Sequence, residues 1–296
     1  MSSYVITVSI FIVIQAIVAY GLNIIVGYAG QISLGHAAFF GIGAYSAALL
    51  STRAGMVFWV AAPLVMLITG GIGLILGLPS LRVRADFLAI TTIGINFIVE
   101  ALFLYVPFFG GALGIGGIPR VRFMGLRLFG TSYLGLCLLC LGAVILVSWW
   151  FTKCWAGLAC MALGEDETAA SSMGISPVRF KLLAFVIGTA MAGLGGALYA
   201  HQMRFIAPSD FGFPVSVMIL SLIVLGGMGT LWGPLIGAII LGALPEIFRP
   251  FTEYRMLLYG VILLIMIRFQ PSGLLGEDSI IRKILKKYWT GGNDEK

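Results

Sequence analysis

The sequence has few charged residues: Asp, Glu, Lys and Arg together make up 10% of its 296 residues. A soluble globular domain carries about 25% charged residues, which give it enough polar surface to stay in solution. Hydrophobic residues make up 60% of the chain, and its mean hydropathy is +1.06. The composition therefore excludes a soluble globular protein and predicts one whose solvent is the lipid bilayer.

The sequence also lacks the strict alternation of apolar and polar residues that is typical of membrane β-barrels. Its apolar residues instead form runs of about 20 residues, the length that an α-helix needs to cross a bilayer. We predict an all-α polytopic membrane protein with about nine transmembrane helices (eight to ten), near residues 4–28, 31–50, 56–80, 86–107, 133–151, 180–204, 214–231, 233–249 and 254–270. Only Ala29 and Gly30 separate the first two runs, so we expect a broken helix near residues 28–36.

Signatures of catalysis and of nucleotide binding are missing as well. The sequence contains no G-x-x-x-x-G-K-[ST], no H-E-x-x-H and no G-x-S-x-G motif, and it has only two histidines. Cys137 and Cys140 are spaced as CxxC, but both lie inside an apolar run, where thiols are usually buried small hydrophobes. We therefore predict no catalytic residue, no metal site and no cofactor bound by this chain itself.

The net charge of +6 does not come from one basic region of the chain. Lys and Arg form short clusters beside the apolar runs, as they do at the ends of membrane spans. We expect contact with membrane lipid and no nucleic acid partner. The pattern predicts a transmembrane domain at 1–276 and a basic cytoplasmic tail at 277–296, with a polar loop at 152–179 on the same side of the membrane.

The polar loop contains an acidic stretch with the signals of a short helix. Asp166 is placed to cap a helix that contains the Ala169-Ala170 pair, and Gly174 is the residue type that ends a helix in a left-handed conformation. Ser176-Pro177 is a typical start of the next helix. This order predicts a short helix facing water, a glycine turn and a span continuous with it, which suits contact with a soluble partner. A loop that only connects two spans is the alternative.

Motifs spread over residues 20–276 share the pattern of a known family. Thr168-Ala169-Ala170 followed by Gly174 has the spacing of the EAA-x-x-x-G loop by which ABC importer permeases bind their ATPases, with Thr in place of Glu. The other motifs are Gly21-Leu-Asn23, Gly27-Tyr-Ala-Gly30-Gln31-Ile-Ser33-Leu-Gly35-His36, Glu165-Asp166-Glu167, Lys181-Leu-Leu-Ala-Phe185, Ala192-Gly-Leu-Gly-Gly-Ala-Leu-Tyr199, Val224-Leu-Gly-Gly-Met-Gly-Thr-Leu-Trp232-Gly-Pro234 and Arg268-Phe-Gln-Pro271. Together these stretches resemble the LivM-type family of branched-chain amino acid permeases.

The resemblance implies a permease subunit in the cell (inner) membrane of a bacterium or archaeon. It implies a complex with a second, LivH-like permease, two cytoplasmic ATP-binding subunits that hold ATP-Mg, and an extracytoplasmic solute-binding protein. The implied substrates are leucine, isoleucine and valine, or a related small amino acid, with urea or short amides as alternatives. The implied ATPase coupling residues are Glu165, Asp166, Glu167, Ala169, Ala170, Gly174 and Ile175.

Polar residues inside the apolar runs are candidates for a translocation pathway, because a polar side chain in hydrocarbon costs energy and usually faces a partner or a cavity. One group is Gln31, Ser33 and His36, near the expected break; the other is Asn96 and Glu100, one helical turn apart. Hydrogen bonding between helices is the alternative role for both groups.

A gradient-driven secondary carrier or channel is the alternative function from a different class. In that case the acidic loop would only connect spans, and Glu100 or His36 would bind a coupling ion or a proton. Loss of ATPase association after a change in the acidic loop would distinguish an importer from a carrier of this kind.

Overall fold

The computed structural model describes residues 3–80, 85–123 and 125–247, together with residues 257, 260, 261, 264, 268 and 273–275. Helices dominate the described part, as the all-α prediction requires. They are α1 Ser3–Leu22, α2 His36–Thr52, α3 Phe58–Ser80, α4 Ala85–Tyr105, α5 Thr131–Lys153, α6 Trp155–Glu165, α7 Glu167–Ser172, α8 Pro177–Met203, α9 Phe213–Gly226 and α10 Gly233–Ile247.

Six stretches of the described chain are helical, long and apolar enough to cross a membrane. They are Ser3–Tyr28, Phe58–Pro79, Phe87–Tyr105, Thr131–Lys153, Pro177–Met203 and Pro208–Gly226. Two further apolar runs form the shorter helices α2 and α10, with 17 and 15 residues. The prediction of an all-α polytopic membrane protein is confirmed. Most of the ninth expected span, at 254–270, lies outside the described residues, so the count of nine stays a prediction.

Helix α8 lies at the centre of the bundle and packs against α1, α2 and α3. Glycines make these crossings close. A Cβ on Gly188 would lie 2.4 Å from the carbonyl oxygen of Gly21 in α1, and a Cβ on Gly43 in α2 would lie 2.5 Å from the Cα of Gly193. Small residues allow helix backbones in a bilayer to approach this closely. These glycines therefore serve the packing of helices around α8.

The expected break between the first two apolar runs is present. Helix α1 continues as a π-helix over Asn23–Tyr28, residues 29–35 are not helical, and α2 begins at His36. Gly30 has φ +65°, a left-handed conformation that favours glycine. Gly35 lies against the backbone of α4, where a Cβ would be 2.0 Å from the carbonyl oxygen of Thr92. We call residues 29–35 the helix break.

A second interruption, at residues 227–232, separates α9 from α10 and is bonded to the π-helix. The side-chain amide of Asn23 donates to the carbonyl oxygen of Thr230 at 3.0 Å, and its oxygen accepts from the backbone N–H of Gly229 at 3.0 Å. Asn23 is buried, so these two bonds satisfy its amide inside the bundle. The two interruptions of the helical structure are therefore held together by one side chain.

The ends of α8 define two ends of the molecule. At its first residue α8 adjoins α6 and α7, and we call this the α7 end. Its last residue is followed closely by β4 Phe205–Ile206, which pairs antiparallel with β1 Ile115–Gly116. The segment that contains β1 also forms a second antiparallel pair, β2 Arg122–Phe123 with β3 Leu126–Arg127. We call this opposite side, with residues 106–130 and 204–212, the loop end.

Candidate coupling helix and membrane-embedded polar residues

The short helix predicted in the polar loop is α7, and Asp166 caps it. One carboxylate oxygen of Asp166, Oδ1, accepts from the backbone N–H groups of Thr168 at 2.8 Å and Ala169 at 2.9 Å. These are two of the donors that a helix start leaves without an intrahelical partner. A carboxylate at this position also matches the positive end of the helix dipole. The position and the cap of this helix were therefore predictable from residue types alone.

The end of α7 has the hydrogen bonds of a Schellman motif. The N–H of Gly174 donates to the carbonyl oxygen of Ser171 at 2.9 Å, and that of Ile175 donates to Ala170 at 3.2 Å. Gly174 has φ +86°, as this motif requires. Ser176 and Pro177 then begin α8, with Pro at the first helical position. A defined turn, rather than a flexible linker, thus joins α7 to the central helix.

The surface of α7 is largely exposed. Of the coupling residues named from the sequence, Glu165, Asp166, Glu167, Ala169 and Gly174 are exposed, Ile175 is half-buried, and Ala170 is turned inward and buried. Met173, which follows α7, is 84% exposed, and Val178 in the first turn of α8 is 49% exposed. An acidic helix with protruding apolar side chains at its end can bind a complementary groove on another protein. Sequence reasoning missed Met173 because a single Met in a polar loop gives no periodic signal.

Contacts connect α7 to the helix break through the first turns of α8. Glu167 forms an ion pair with Lys181 in α8. The backbone carbonyl of Lys181 in turn accepts from the side-chain amide of Gln31 at 2.9 Å. Beside this bond, a Cβ on Gly30 would lie 2.9 Å from the Cα of Gly164, the penultimate residue of α6. The break therefore lies directly against the elements that carry α7.

Two cysteine thiols form hydrogen bonds with the backbone in and around α6. The Sγ of Cys160 donates to the carbonyl oxygen of Phe180 in α8 at 3.3 Å, and burial raises the pKa of this thiol to about 12. The Sγ of Cys154 accepts from the backbone N–H of Gly157 at 3.4 Å and caps α6. A thiol with a raised pKa is a poor nucleophile and a poor metal ligand at neutral pH. In the described chain, no three His, Cys, Asp or Glu side chains form a group that could hold a metal ion.

Asn96 is fully buried and forms part of a hydrogen-bonded chain across three helices. The hydroxyl of Ser216 in α9 donates to its Oδ1 at 3.2 Å, and the same hydroxyl accepts from the backbone N–H of Ala37 in α2 at 3.0 Å. The amide of Asn96 also donates to the carbonyl oxygen of Phe211 at 3.5 Å. Asn96 therefore takes part in hydrogen bonding between helices. This is the alternative that the sequence allowed beside a place in the translocation pathway.

The predicted residues at the break, Gln31, Ser33 and His36, are all buried. The Oγ of Ser33 and the Oε1 of Gln31 have no hydrogen-bond partner within the described residues. The Nε2 of His36 lies beside Gly21, where a Cβ would be 3.2 Å from it. Buried polar atoms without a partner are rare in native structures and often mark a place for water or solute. These atoms therefore remain candidates for contact with a translocated solute.

The two predicted polar groups are neighbours in space. The N–H of Leu34 in the break donates to the Oγ1 of Thr92 at 3.0 Å, one turn before Asn96 on α4. One turn after Asn96, Glu100 lies beside the start of α9, where a Cβ on Gly212 would be 3.4 Å from both of its carboxylate oxygens. Helix α4 thus carries a row of polar side chains from the break towards the loop end. Thr92 of this row and Ser216 of α9, which bonds to Asn96, were missed, because hydroxyls are common in apolar helices.

Sequence comparisons with known proteins indicate the kind of protein that has this architecture. A family model described as "Branched-chain amino acid transport system / permease component" matches residues 4–267. The high-affinity branched-chain amino acid transport system permease protein LivM of Salmonella typhimurium is 38% identical over 287 residues, covering 88% of this chain and 68% of the relative. The permease protein LivH of the same organism is 35% identical over 126 residues, covering 42% of this chain and 41% of the relative. Among solved structures, PsaBC from Streptococcus pneumoniae in complex with Fab aligns with 97% of this chain and 96% of that chain, at a TM-score of 0.49 and 16% identity.

Proposed function

This chain belongs to the branched-chain amino acid transport system permease family, and on that basis we propose that it is one membrane subunit of an ATP-driven importer. It forms half of the translocation pore, and a second, LivH-like permease forms the other half. The substrates are leucine, isoleucine and valine, or a related small amino acid or short amide. The importer resides in the cell (inner) membrane of a bacterium or archaeon.

Two further kinds of partner complete the proposed complex. Two ATP-binding subunits bind ATP-Mg at the α7 end, which faces the cytoplasm. An extracytoplasmic solute-binding protein delivers the amino acid to the loop end. Of the eighteen Lys and Arg residues in the sequence, eleven fall in segments predicted to be cytoplasmic, Arg179 and Lys181 at the start of α8 among them, and this excess supports the orientation.

The capped helix α7 is the observation that carries the proposal. It is exposed, it is fixed at both ends by hydrogen bonds, and it is joined by a defined turn to the central helix of the bundle. A loop that only connects spans needs none of these features. When ATP closes the ATPase dimer, α7 follows the moving ATPase surface. Lys181 and Gln31 then transmit the displacement to the helix break.

Co-purification from native membranes in mild detergent, with the subunits identified by mass spectrometry, tests this proposal. We expect two ATP-binding subunits and a second permease with the wild-type chain. The double variant Glu165→Lys with Glu167→Lys should lose the ATP-binding subunits, because it reverses the charge of their contact surface. Gly174→Pro should lose them as well, since proline cannot adopt φ +86°.

A matched control is the double variant Arg122→Glu with Arg127→Glu, which reverses two exposed charges at the loop end. It should retain the ATP-binding subunits. A wild-type chain that purifies alone and transports its solute down a gradient would reject the importer in favour of a secondary carrier. Transport that persists unchanged in the α7 variants would lead to the same conclusion.

A further inference from the structure

A cavity of about 160 Å³ lies between α1, α2, α8 and α9 at the loop end, apart from the polar row on α4. Its walls contain three side chains with polar atoms: Gln15 of α1, Tyr199 of α8 and Asp210 of the 3₁₀ helix Pro208–Phe211. The remaining walls are apolar. Such a mixture of a largely apolar wall with a few convergent polar groups is typical of small-molecule sites.

Asp210 contributes a carboxylate to the cavity, and the Oδ1 of this carboxylate has no hydrogen-bond partner among the described residues. The Oδ2 of Asp210 accepts from the backbone N–H of Ala207 at 2.9 Å, which fixes the side chain at the start of the 3₁₀ helix. No ion pair involves Asp210 in the described part of the chain, where Glu167 and Lys181 form the one such pair. Among the described residues that line the cavity there is no Lys, Arg or His. The cavity therefore offers one negative charge, which a cationic ligand would neutralise.

Aromatic rings stand beside this carboxylate. Phe40 and Tyr199 meet edge to face with ring centroids 5.3 Å apart, and Phe11 lies 6.1 Å from the same tyrosine ring. Aromatic faces attract ammonium groups through the ring quadrupole. A carboxylate and aromatic rings that line the same cavity suit an ammonium ion better than a neutral solute.

The deeper wall is aliphatic, formed by Ile14, Val18 and Ile219. At its edge, the side-chain amide of Gln15 has the thioether sulfur of Met218 as its acceptor, at 3.9 Å. Sulfur is a weak acceptor, so this amide can turn to a better one. An amino acid carboxylate is such an acceptor, and an aliphatic side chain matches the wall below it.

We infer that this cavity is an entry site for an aliphatic α-amino acid. Asp210 and the rings of Phe40 and Tyr199 bind its ammonium group, Gln15 donates to its carboxylate, and Ile14, Val18 and Ile219 contact its side chain. The inference rests on the proposed transport function, because it assigns the delivered amino acid a first binding site at the loop end. It adds residues of α1, α2, α8, α9 and the 3₁₀ helix to those predicted for translocation.

Protection of an introduced cysteine tests this site directly. Val215 lines the cavity and is partly exposed, so Val215→Cys introduces a thiol that a maleimide can reach. The purified assembly with this variant is labelled in the presence of leucine, of 3-methylbutylamine, which lacks the carboxylate, or of 4-methylpentanoate, which lacks the amine. The unmodified chain gives the background of its four native cysteines. We expect leucine and the amine to slow labelling, and the carboxylic acid to leave it unchanged.

Asp210→Asn, added to the Val215→Cys chain, removes the carboxylate charge but keeps an oxygen that can accept from the N–H of Ala207. It should weaken protection by leucine about tenfold, the scale of one lost charge-assisted hydrogen bond. Any of three results would overturn the inference. They are protection by 4-methylpentanoate equal to that by leucine, undiminished protection by leucine in the Asp210→Asn variant, and no protection by leucine. ATP-dependent amino acid uptake by the wild-type assembly is measured separately. ATP-dependent uptake without protection of the introduced cysteine by leucine would reject this site alone. Protection by leucine without ATP-dependent uptake would reject the proposed function.

Discussion

At the residue scale, glycines decide where the helices of this molecule approach each other. The glycines of α8 meet the backbone or short side chains of three neighbouring helices, and an added Cβ would collide with atoms that cannot move away. Other glycines face open space, although they too stand inside helices. The two kinds look alike in the sequence, because the difference lies in the neighbouring helix and not in the local pattern.

Gly43→Ala should destabilise the protein. Its Cβ would lie 2.5 Å from both the Cα and the carbonyl oxygen of Gly193, so α2 and α8 must separate. We expect the free energy of unfolding to fall by about 1–3 kcal/mol, the usual cost of overpacking. The measurement is the thermal midpoint of the detergent-solubilised protein, which should be lower. Gly71→Ala in α3 is the control, since nothing lies within 4 Å of its Cβ position. It should be neutral or stabilising by up to about 1 kcal/mol. Equal effects of both changes would contradict the close crossing.

Asn23→Ala should also lower the thermal midpoint, because both bonds from the π-helix to the interruption at residues 227–232 disappear. The expected cost is about 1–3 kcal/mol, since buried backbone groups lose their partners. Thr7→Ala is the comparison on the same helix: its hydroxyl bonds only to the carbonyl oxygen of Ser3, one turn earlier. A midpoint no lower than that of the Thr7 variant would show that Asn23 does not hold the two segments together.

At the scale of elements, α7 is short and depends on its two ends. Six residues are too few to form a stable isolated helix, so the cap at Asp166 and the Schellman turn at Gly174 stabilise it. Both signals are local, and for that reason α7 and the start of α8 could be predicted from the sequence to within a residue or two. The break at residues 29–35 was equally predictable, because it interrupts an apolar run at Gly30.

Other features of the site could not be predicted, because they join distant parts of the chain. Asn23 bonds to a residue 206 positions later, and Ser216 meets Asn96 across 120 positions. A sequence pattern identifies each of these as a polar residue in an apolar run but does not say which partner it finds. The exposure of Met173 is a further case, since it depends on the direction in which the turn after α7 points.

Asp166→Ala should loosen α7 without unfolding the bundle. Loss of an N-cap costs about 0.5–2 kcal/mol, which corresponds to roughly two- to thirtyfold faster hydrogen exchange of the α7 amides. Asp166→Asn should leave exchange nearly unchanged, because asparagine caps as well as aspartate. The measurement is amide exchange by mass spectrometry over a peptide that covers residues 167–173. Equal exchange in the alanine and asparagine variants would contradict a capping role.

At the scale of the whole molecule, motion of α7 in the proposed importer would reach the pore-forming helices at the helix break. Gln31→Ala removes the bond to the carbonyl oxygen of Lys181. We expect the assembly to hydrolyse ATP at its normal rate but to import severalfold less amino acid per ATP, measured in proteoliposomes. Ile32→Ala is the control, because Ile32 is next to Gln31 in the chain and its side chain is exposed. An unchanged ratio in the Gln31 variant would exclude this route.

Helix α8 runs without interruption for 27 residues, which gives it a length of about 40 Å. Its close crossings, at Gly188 and Gly193, lie near its middle, with about 20 Å of helix on either side. A rigid helix that pivots at its midpoint moves its two ends in opposite directions. A tilt of about 5° displaces each end of α8 by nearly 2 Å. Widening at one face of the membrane then accompanies narrowing at the other. In the proposed importer, this pivot would oppose opening of the bundle at the α7 end and at the loop end at the same time.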